Sequence, residues 1–440
     1  MDRKRFLTET PVKQLILRLA FPTILSMLVT GIYNTADTFF VGKISTQATA
    51  AVGLVFSVMA LIQALGFFCG HGSGNYLARM LGSGNNKEAD EMASTGFVLS
   101  LILGVIVAAL GLIFSDRIAF LLGATKTTLK DTKDYMRIIL LGAPFMMGQF
   151  VINNQLRFQG SAMYAMAGLM CGALVNLVLD PLLILGFKMG VSGAAAATVS
   201  GQIMSFFVLL GGTRKGENIR LAVSNIKIGP HYIAEIINGG APSLFRQGLA
   251  AVSTLLLNHA AGSIGGDAAI AGMSIVTRVM MLTVSALIGF GQGYQPVCSF
   301  NYGAGLYKRV REGFFFCVRY GTIFLVAGGA LCFAFAPHII GWFRDDPDVI
   351  AIGSEALRYQ SCTLPLMAGI IMSNMMLQST GKGVKASITA SARNGLFFIP
   401  LILVLPNCFG LKGVELSQPI SDILSLALSL PLAWTELRKM

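Results

Sequence analysis

Two aspartates lie inside long apolar stretches of the sequence, where carboxylates are rare. Asn34 precedes Asp37 and Asn176 precedes Asp180 by about one helical turn, so each amide and carboxylate share a helix face. An ionised carboxylate at mid-membrane costs at least about 2.5 kcal/mol on insertion scales, and such groups usually serve a function. Oxygen ligands of this kind bind small hard cations, and two carboxylates that lie close together can instead share a proton.

The two aspartates lie at similar depths along their stretches. With a rise of about 1.5 Å per residue, Asp37 and Asp180 lie roughly 9–11 Å from the ends of their stretches, and Thr198 lies roughly 12 Å into the next one. The site predicted for H⁺ or Na⁺ comprises four side chains: Asp37, Asn176, Asp180 and Thr198. Three further residues are assigned supporting roles beside it: Asn34 and the kink-forming prolines Pro22 and Pro181. The alternative is that each aspartate only hydrogen-bonds the backbone of a kinked helix.

The composition indicates that the elements carrying these residues are membrane helices. The chain has 440 residues, of which 54% are hydrophobic and 12% are charged, whereas a soluble protein carries about 25% charged residues. Apolar runs recur that are long enough to cross a hydrocarbon core of about 30 Å. The net charge of +12 comes mainly from short loops between these runs, so it does not indicate nucleic-acid binding. Twelve spans are predicted: 14–41, 47–80, 91–114, 134–157, 163–185, 191–212, 232–260, 268–299, 312–336, 351–378, 386–406 and 413–435.

The second half of the sequence repeats the first at an offset of about 220 residues. Pro22 aligns with Pro242, and further pairs keep the same register: Asn153 with Asn374, Gly84 with Gly305, Gly160 with Gly381, and Gly190 with Gly410. Six spans per half is an even number, so both halves enter the membrane in the same direction. The predicted fold is therefore all-α and integral to the membrane, with twelve transmembrane helices in two six-helix lobes related by a pseudo-two-fold axis along the membrane normal. The predicted lobes are 1–213 and 232–440, joined by a linker at 214–231.

The basic residues predict the orientation of the chain. Lys and Arg are more frequent in the tails and loops on the side of the two termini, as in the segment Arg3–Arg5. The positive-inside rule therefore places both termini in the cytosol. The basic N-terminal segment lacks a small-residue cleavage site, so no removable signal peptide is expected. We expect a multi-pass protein of a bacterial inner membrane.

Motifs for nucleotide chemistry and for enzyme catalysis do not occur in the sequence. No GxxxxGK[ST] is found, which excludes a P-loop ATPase within this chain. The glycine runs at 70–74 and 289–293 lie inside long spans, where close helix packing explains them better than phosphate binding. The four histidines are too scattered for a metal site, and no nucleophile–base pair stands at motif spacing. We therefore expect no enzyme, no organic cofactor and no metal other than Na⁺ at the aspartate site.

A second set of residues is predicted to line a substrate cavity. Methionines such as Met27 can adapt to varied apolar ligands, although ordinary core filling explains them equally well. Arg246 and Arg278 bring positive charge into the spans of the second half. The predicted cavity set is Met27, Asn153, Gln247, Arg246 and Arg278. Asp422, in the last span, is assigned a structural role as the partner of an arginine such as Arg393 or Arg246.

Three segments near the start of the sequence resemble a known family. Residues 19–22 read Leu-Ala-Phe-Pro, residues 34–42 read Asn-Thr-Ala-Asp-Thr-Phe-Phe-Val-Gly, and residues 51–53 read Ala-Val-Gly. Together with Asn-Leu-Val-Leu-Asp-Pro at 176–181, they resemble multidrug and toxic compound extrusion (MATE) transporters, and the resemblance covers the full length. In family members with a cation site in the first lobe, the matching positions here are Asp37, Asn176, Asp180 and Thr198, with Tyr135 nearby. Some relatives carry acidic residues in spans seven and ten, whereas here those spans have acids only near their ends, Glu235 and Glu355, so a second-lobe cation site is not expected.

The resemblance implies export of small organic compounds, cationic or amphipathic, in exchange for H⁺ or Na⁺. It implies alternating access between two lobes around a central cavity, in a monomer that contacts membrane lipid and no nucleic acid. A lipid-linked precursor flippase would share this architecture but should have a strongly cationic cavity. A channel would need no coupling site.

Overall fold

The polypeptide folds almost entirely into helices. A computed structural model describes residues 3–215 and 219–440, without the side chains of residues 3, 31–39 and 46. In this part of the chain no β-strand occurs. The helices of the first half are α1 (Arg3–Glu9), α2 (Val12–Gly42), α3 (Thr46–Ser83), α4 (Asn86–Ile113), α5 (Ser115–Leu121), α6 (Leu129–Phe158), α7 (Ala162–Pro181) and α8 (Gly190–Thr213). Those of the second half are α9 (Pro230–Gly303), α10 (Tyr307–Ala334), α11 (Ala336–Phe343), α12 (Pro347–Thr363), α13 (Leu366–Ser379), α14 (Gly383–Ser391), α15 (Phe398–Phe409) and α16 (Leu411–Leu437).

The helices provide twelve membrane crossings. Ten segments of the described chain are each long and apolar enough to cross a bilayer. One of them, α9, has 74 residues and supplies two crossings, because the backbone breaks at Gly266 with φ 63° and ψ −155°. Helices α12 and α13 meet at Pro365 and form the remaining crossing. These elements confirm the predicted fold class, and the predicted span boundaries differ from the helix ends by only a few residues.

The connection between the seventh and eighth crossings is shorter than the sequence suggested. The prediction left residues 261–267 between two spans, whereas the helix continues on both sides of Gly266. The conformation at Gly266 belongs to a region of φ and ψ that is essentially restricted to glycine. A single glycine therefore turns the chain, and no separate loop is needed.

The internal repeat is visible in matched local structures. Asn153 of α6 donates from Nδ2 to the carbonyl of Ala165 at 2.9 Å, and Asn374 of α13 donates to the carbonyl of Ala386 at 2.7 Å. Matched glycines also share a positive φ: Gly84 and Gly305 (85° and 73°), Gly160 and Gly381 (84° and 78°), and Gly190 and Gly410 (58° and 59°). Because glycine adopts this conformation at little cost, each pair ends or starts a helix in the same way in both halves.

The two lobes pack tightly on the side where α2 and α9 begin and α16 ends, here named the terminal side. A methyl group added at Gly72 of α3 would lie 2.3 Å from the carbonyl oxygen of Ile236, and one added at Gly303 would lie 2.0 Å from the carbonyl oxygen of Arg79. Such approaches of one backbone to another need glycine at the contact. Gly72 belongs to the first of the two glycine runs, and Gly289 of the second run contacts α2 in the same way. The prediction that these runs serve helix packing is confirmed.

Polar contacts between the lobes lie on the same side. Arg79 pairs with Glu235 at 3.0 Å and donates to the carbonyl of Ser379 at 3.3 Å, while the Tyr76 hydroxyl lies 2.9 Å from Nε2 of His231. Further hydrogen bonds between described residues of the two lobes also lie on the terminal side. These contacts close the terminal side of the space between the lobes.

Candidate functional site

Helices α7 and α8 approach each other closely at two glycines. A methyl group added at Gly201 of α8 would lie 2.6 Å from the carbonyl oxygen of Gly172 and 3.1 Å from Cβ of Asn176. The reverse contact, from Gly172 to the carbonyl of Gly201, is equally short at 2.6 Å. Two small residues therefore bring the polar side chains of both helices within reach of each other.

Asn176, Asp180 and Thr198 form a buried polar cluster at this contact. Nδ2 of Asn176 donates to Oδ1 of Asp180 at 3.4 Å and to Oγ1 of Thr198 at 3.5 Å. The three residues are 3%, 0% and 4% exposed. The structure therefore brings together three of the four predicted ligands, from two helices.

The cluster has an acceptor whose hydrogen-bonding capacity is unused. Oδ1 of Asn176 is buried and accepts no hydrogen bond from any described residue. A buried polar atom without a partner costs about 1–3 kcal/mol, so its persistence calls for an explanation. Together with the hydroxyl of Thr198 and the carboxylate of Asp180, it offers the oxygen ligands that a hard cation prefers. No group of three His, Cys, Asp or Glu able to hold a metal occurs in the described chain.

The remaining predicted ligand lies on α2. This helix packs against α7, which carries Asn176 and Asp180. The side chains of Asp37 and Asn34 lie outside the described residues. Whether Asp37 completes the site therefore stays a prediction.

The prolines assigned to the site interrupt both helices that carry it. Pro181 follows Asp180, has no N–H to donate, and is followed by a π-helical segment at Leu182–Gly186. In α2 Pro22 likewise has no N–H to donate, and its own carbonyl accepts from the hydroxyl of Ser26 at 2.8 Å. Both positions are therefore places where a helix can change its bend.

Tyr135 of α6, which the family resemblance placed near the site, is fully buried. Its hydroxyl donates to Sδ of Met59 on α3 at 3.9 Å. This contact joins α6 to α3, and a direct part for Tyr135 in cation binding stays a prediction.

The predicted cavity residues occupy different environments. Met27, Gln247 and Arg246 are half-buried and Arg278 is exposed. Asn153 is buried, and its amide is used in the α6–α7 contact described above. Nη1 of Arg246 donates to Oδ1 of Asn374 at 3.2 Å. Their contribution to a substrate cavity stays a prediction.

Asp422 has the arginine partner that the sequence suggested. Nε of Arg393 donates to Oδ1 of Asp422 at 2.7 Å. Gln418 donates to the same oxygen at 3.0 Å and Thr363 donates to Oδ2 at 3.3 Å. The carboxylate is thus fully occupied by protein donors, which confirms the pairing with Arg393.

Arg157 was missed as a candidate, because the sequence places it in a basic loop at the end of span four. The structure buries it to 3% exposure near the end of α6. Its guanidinium donates to Oε1 of Gln292, and to Oδ1 of Asn154 at 2.5 Å; it also lies 3.3 Å from Nε2 of His71. The unusual length of the second and eighth spans could have indicated this burial. Both spans extend past the end of span four and cover Arg157.

A sequence model of the MatE family matches residues 22–182 and 242–404. The matched ranges are the two halves of the internal repeat. A curated relative, the multidrug export protein MepA of Staphylococcus aureus, is 29% identical over 423 residues, covering 95% of this chain and 93% of that protein. The protein of the same name from Staphylococcus haemolyticus is 29% identical over 419 residues, covering 95% and 92%.

Solved structures share the whole fold. An outward-facing multidrug resistance MATE transporter of the MOP superfamily superposes with a TM-score of 0.93 at 26% identity, covering 100% of this chain and 98% of that one. A MOP superfamily transporter from Pyrococcus furiosus, described as having a binding pocket of reverse polarity, gives a TM-score of 0.93 at 25% identity with the same coverage. With the repeat, the twelve crossings and the family match in agreement, the chain belongs to the MatE family and is a membrane transporter rather than an enzyme.

Proposed function

We propose that the chain exports small organic compounds, cationic or amphipathic, from a bacterial cell in exchange for inward-moving H⁺ or Na⁺. The observation that carries the proposal is the buried cluster of Asn176, Asp180 and Thr198, since a carboxylate with no exposure in a membrane lobe is a natural coupling site. Export is supported by the curated relatives, which are named multidrug export proteins. The coupling ion binds at this cluster with Asp37.

The orientation proposed from the basic loops places the terminal side in the cytosol. The lobe contacts described above then close the cytosolic side of the interlobe space, as expected for an outward-facing exporter. The high similarity to an outward-facing relative supports this assignment. The conformation is therefore the one that takes up the cation from outside.

Transport follows from alternating access between the two lobes. In the outward-facing state H⁺ or Na⁺ neutralises the Asp37–Asp180 pair. The change in charge alters packing at the bends around Pro22 and Pro181 and expels the substrate outward. The loaded lobes then close outside and open inside, where the cation leaves and a new substrate binds. A membrane potential of 100 mV supplies about 2.3 kcal/mol for each charge moved inward.

Proteoliposomes with proton and sodium gradients imposed separately test this proposal. The measured quantity is the export of tetramethylrhodamine methyl ester, a fluorescent organic cation. We expect transport under one of the two gradients, and its loss in Asp37→Asn and Asp180→Asn, because asparagine keeps the size of aspartate but cannot change charge. Asp267→Asn makes the same change at an exposed position and should leave export intact. Near-normal export by either site variant in a folded protein would contradict the proposed site.

A further inference from the structure

Arg157 is a buried cation for which the described chain supplies no carboxylate. It is 3% exposed, and its Nε atom has no hydrogen-bond partner. None of the ion pairs between described residues includes it. A buried charge without a counter-charge is costly, so such a group is retained where an opposite charge arrives from elsewhere.

The neighbours of Arg157 are all neutral or cationic. Gln292 and Asn154 offer amide oxygens, and His71 contributes a ring nitrogen. Arg246 is a half-buried arginine of α9, the helix that also supplies Gln292. Arg246 also lacks an ion pair in the described chain; its contact is with the amide of Asn374.

Two other arginines in the interior of this chain have a carboxylate partner, whereas Arg309 is held by neutral oxygens alone. Arg79 pairs with Glu235, and Arg393 pairs with Asp422. Arg157 and Arg246 differ from these two arginines, because neither has an acidic residue among its described contacts. A buried guanidinium with an unused donor and no acid partner suits an oxyanion, which arginine binds through two parallel hydrogen bonds.

We propose that Arg157 and Arg246 bind an oxyanion group, such as a carboxylate, carried by the organic compound that the protein exports. This inference rests on the proposed export function. It adds that the exported amphiphiles include zwitterions, which carry a carboxylate as well as a positive charge. The interlobe contact of Arg157 explains how binding is tied to the transport cycle. Gln292 belongs to the second lobe and accepts from the guanidinium of Arg157 in this conformation, in which the terminal side is closed.

Opening the terminal side removes Gln292 from Arg157. The guanidinium then turns its donors to a space open to the cytosol, where a substrate carboxylate can take the place of the amide. When the terminal side closes again, Gln292 returns to Arg157 and displaces the substrate carboxylate. Half-buried Arg246 can then hold the carboxylate while the outer side opens. The exchange of one acceptor for another keeps Nη1 of Arg157 paired at both ends of the cycle.

A pair of dyes that differ by one carboxylate tests this inference. Tetramethylrhodamine is a zwitterion, whereas its methyl ester carries only the positive charge. Export of both is measured in proteoliposomes of neutral phosphatidylcholine, with the wild type, Arg157→Gln and Arg246→Gln. Arg358→Gln is the matched control, since that arginine is exposed on α12 and contacts only the carbonyl and ring of Phe333.

The expected result is selective loss of the zwitterion. A charge-assisted hydrogen bond contributes about 1.5–3 kcal/mol, so each glutamine variant should lower apparent affinity for tetramethylrhodamine by about tenfold or more. Export of the methyl ester should fall much less than export of tetramethylrhodamine in each glutamine variant, export of both dyes should be unchanged in Arg358→Gln, and Arg157→Lys should recover part of the zwitterion affinity. If Arg157→Gln fails to fold, Arg246→Gln gives the same comparison at a half-buried position.

Other outcomes overturn the inference. Equal loss of both dyes in both glutamine variants would mean that the arginines serve structure alone. Export of the ester with no export of the zwitterion by the wild type would leave the proposed function intact and refute the anion site. Arginine dependence that appears only in vesicles containing phosphatidylglycerol would assign the site to lipid headgroups and refute it as well. Export of neither dye under either gradient would contradict the proposed function itself.

Discussion

Gly303 of α9 controls how closely the two lobes meet on the terminal side. A methyl group at this position would lie 2.0 Å from the carbonyl oxygen of Arg79 and 2.7 Å from its carbonyl carbon. Both atoms belong to the backbone of α3, so no side-chain rotation can relieve the overlap. Gly303→Ala should therefore force the lobes apart here and favour the conformation that is open on the terminal side.

The size of the shift follows from the overlap. An ordinary contact needs about 3.4 Å or more, so the helices must separate by more than 1 Å, and overpacking of this kind costs about 1–3 kcal/mol. The terminal-open state has no such contact and bears no cost. The ratio of open to closed molecules should thus rise roughly 5- to 150-fold.

Cys298 provides the assay. It is fully buried and precedes Ser299, whose hydroxyl donates to Asn75 of α3 across the lobe boundary at 3.1 Å. Its alkylation by N-ethylmaleimide, followed by mass spectrometry of the peptide, reports the open population. The exposed Cys362 gives the reference rate in the same sample. We expect Cys298 in Gly303→Ala to react at least about fivefold faster than in the wild type.

Gly248→Ala is the control for this measurement. Gly248 lies in the same helix, and a methyl group there would meet nothing within 4 Å. This variant carries the same gain in helix propensity without the clash, so its Cys298 should react at the wild-type rate. An unchanged rate in Gly303→Ala would refute the view that the glycine contacts set the closed state.

Three further predictions concern the ion pair, the cation cluster and the topology. Asp422→Asn should lower the melting temperature, since Arg393 loses a counter-charge at a cost of about 3 kcal/mol, but the cation-to-substrate ratio in proteoliposomes should stay the same; a changed ratio would move coupling to the second lobe. Gly201→Ala should push α8 away from α7 and weaken cation-driven export severalfold. Gly211 lies in the same helix, but a methyl group there would contact nothing, so Gly211→Ala should leave export unchanged. Equal export by the two variants would show that the close approach of α7 and α8 is dispensable. Reporters fused to the two termini should be cytosolic and one in the turn at 43–45 external, and a cytosolic signal from that turn would reverse the assignment.

The sequence predicted the membrane helices well because each span is specified by a local property. A run of about 20 apolar residues can satisfy its backbone only as a helix in the bilayer. The internal repeat was equally accessible, since Asn153 and Asn374 or Gly160 and Gly381 keep both residue type and spacing. The glycines at 262, 265 and 266 indicated the break between the seventh and eighth spans, but not that a single residue, Gly266, would replace a loop.

The part of the candidate site that depends only on depth in the membrane could be predicted from the sequence. Asn176, Asp180 and Thr198 meet as expected, because residues at one depth on adjacent helices are neighbours. The contact that allows it, between Gly172 and Gly201, depends on which faces of α7 and α8 pack together. That choice depends on the tertiary fold and is not visible in a single sequence.

Arg157 shows the limit of such reasoning most clearly. A basic residue near the end of a span is normally assigned to the wet interface. Here α3 and α9 continue past the end of α6 and bury it between the lobes. Its chemistry depends on Gln292, a residue of the other lobe, so neither half of the repeat taken alone would reveal the site.

The two lobes treat their buried carboxylates in opposite ways, and this asymmetry bears on coupling. In the second lobe the carboxylate of Asp422 already accepts from Arg393, Gln418 and Thr363, so few of its acceptors are left for a cation. In the first lobe Asp180 lies beside Asn176, a buried amide whose oxygen still lacks a donor. Only a site with unused acceptors can bind and release a cation in every cycle. Coupling is therefore expected in the first lobe, while the second lobe contributes Gln292 and Arg246 to substrate handling.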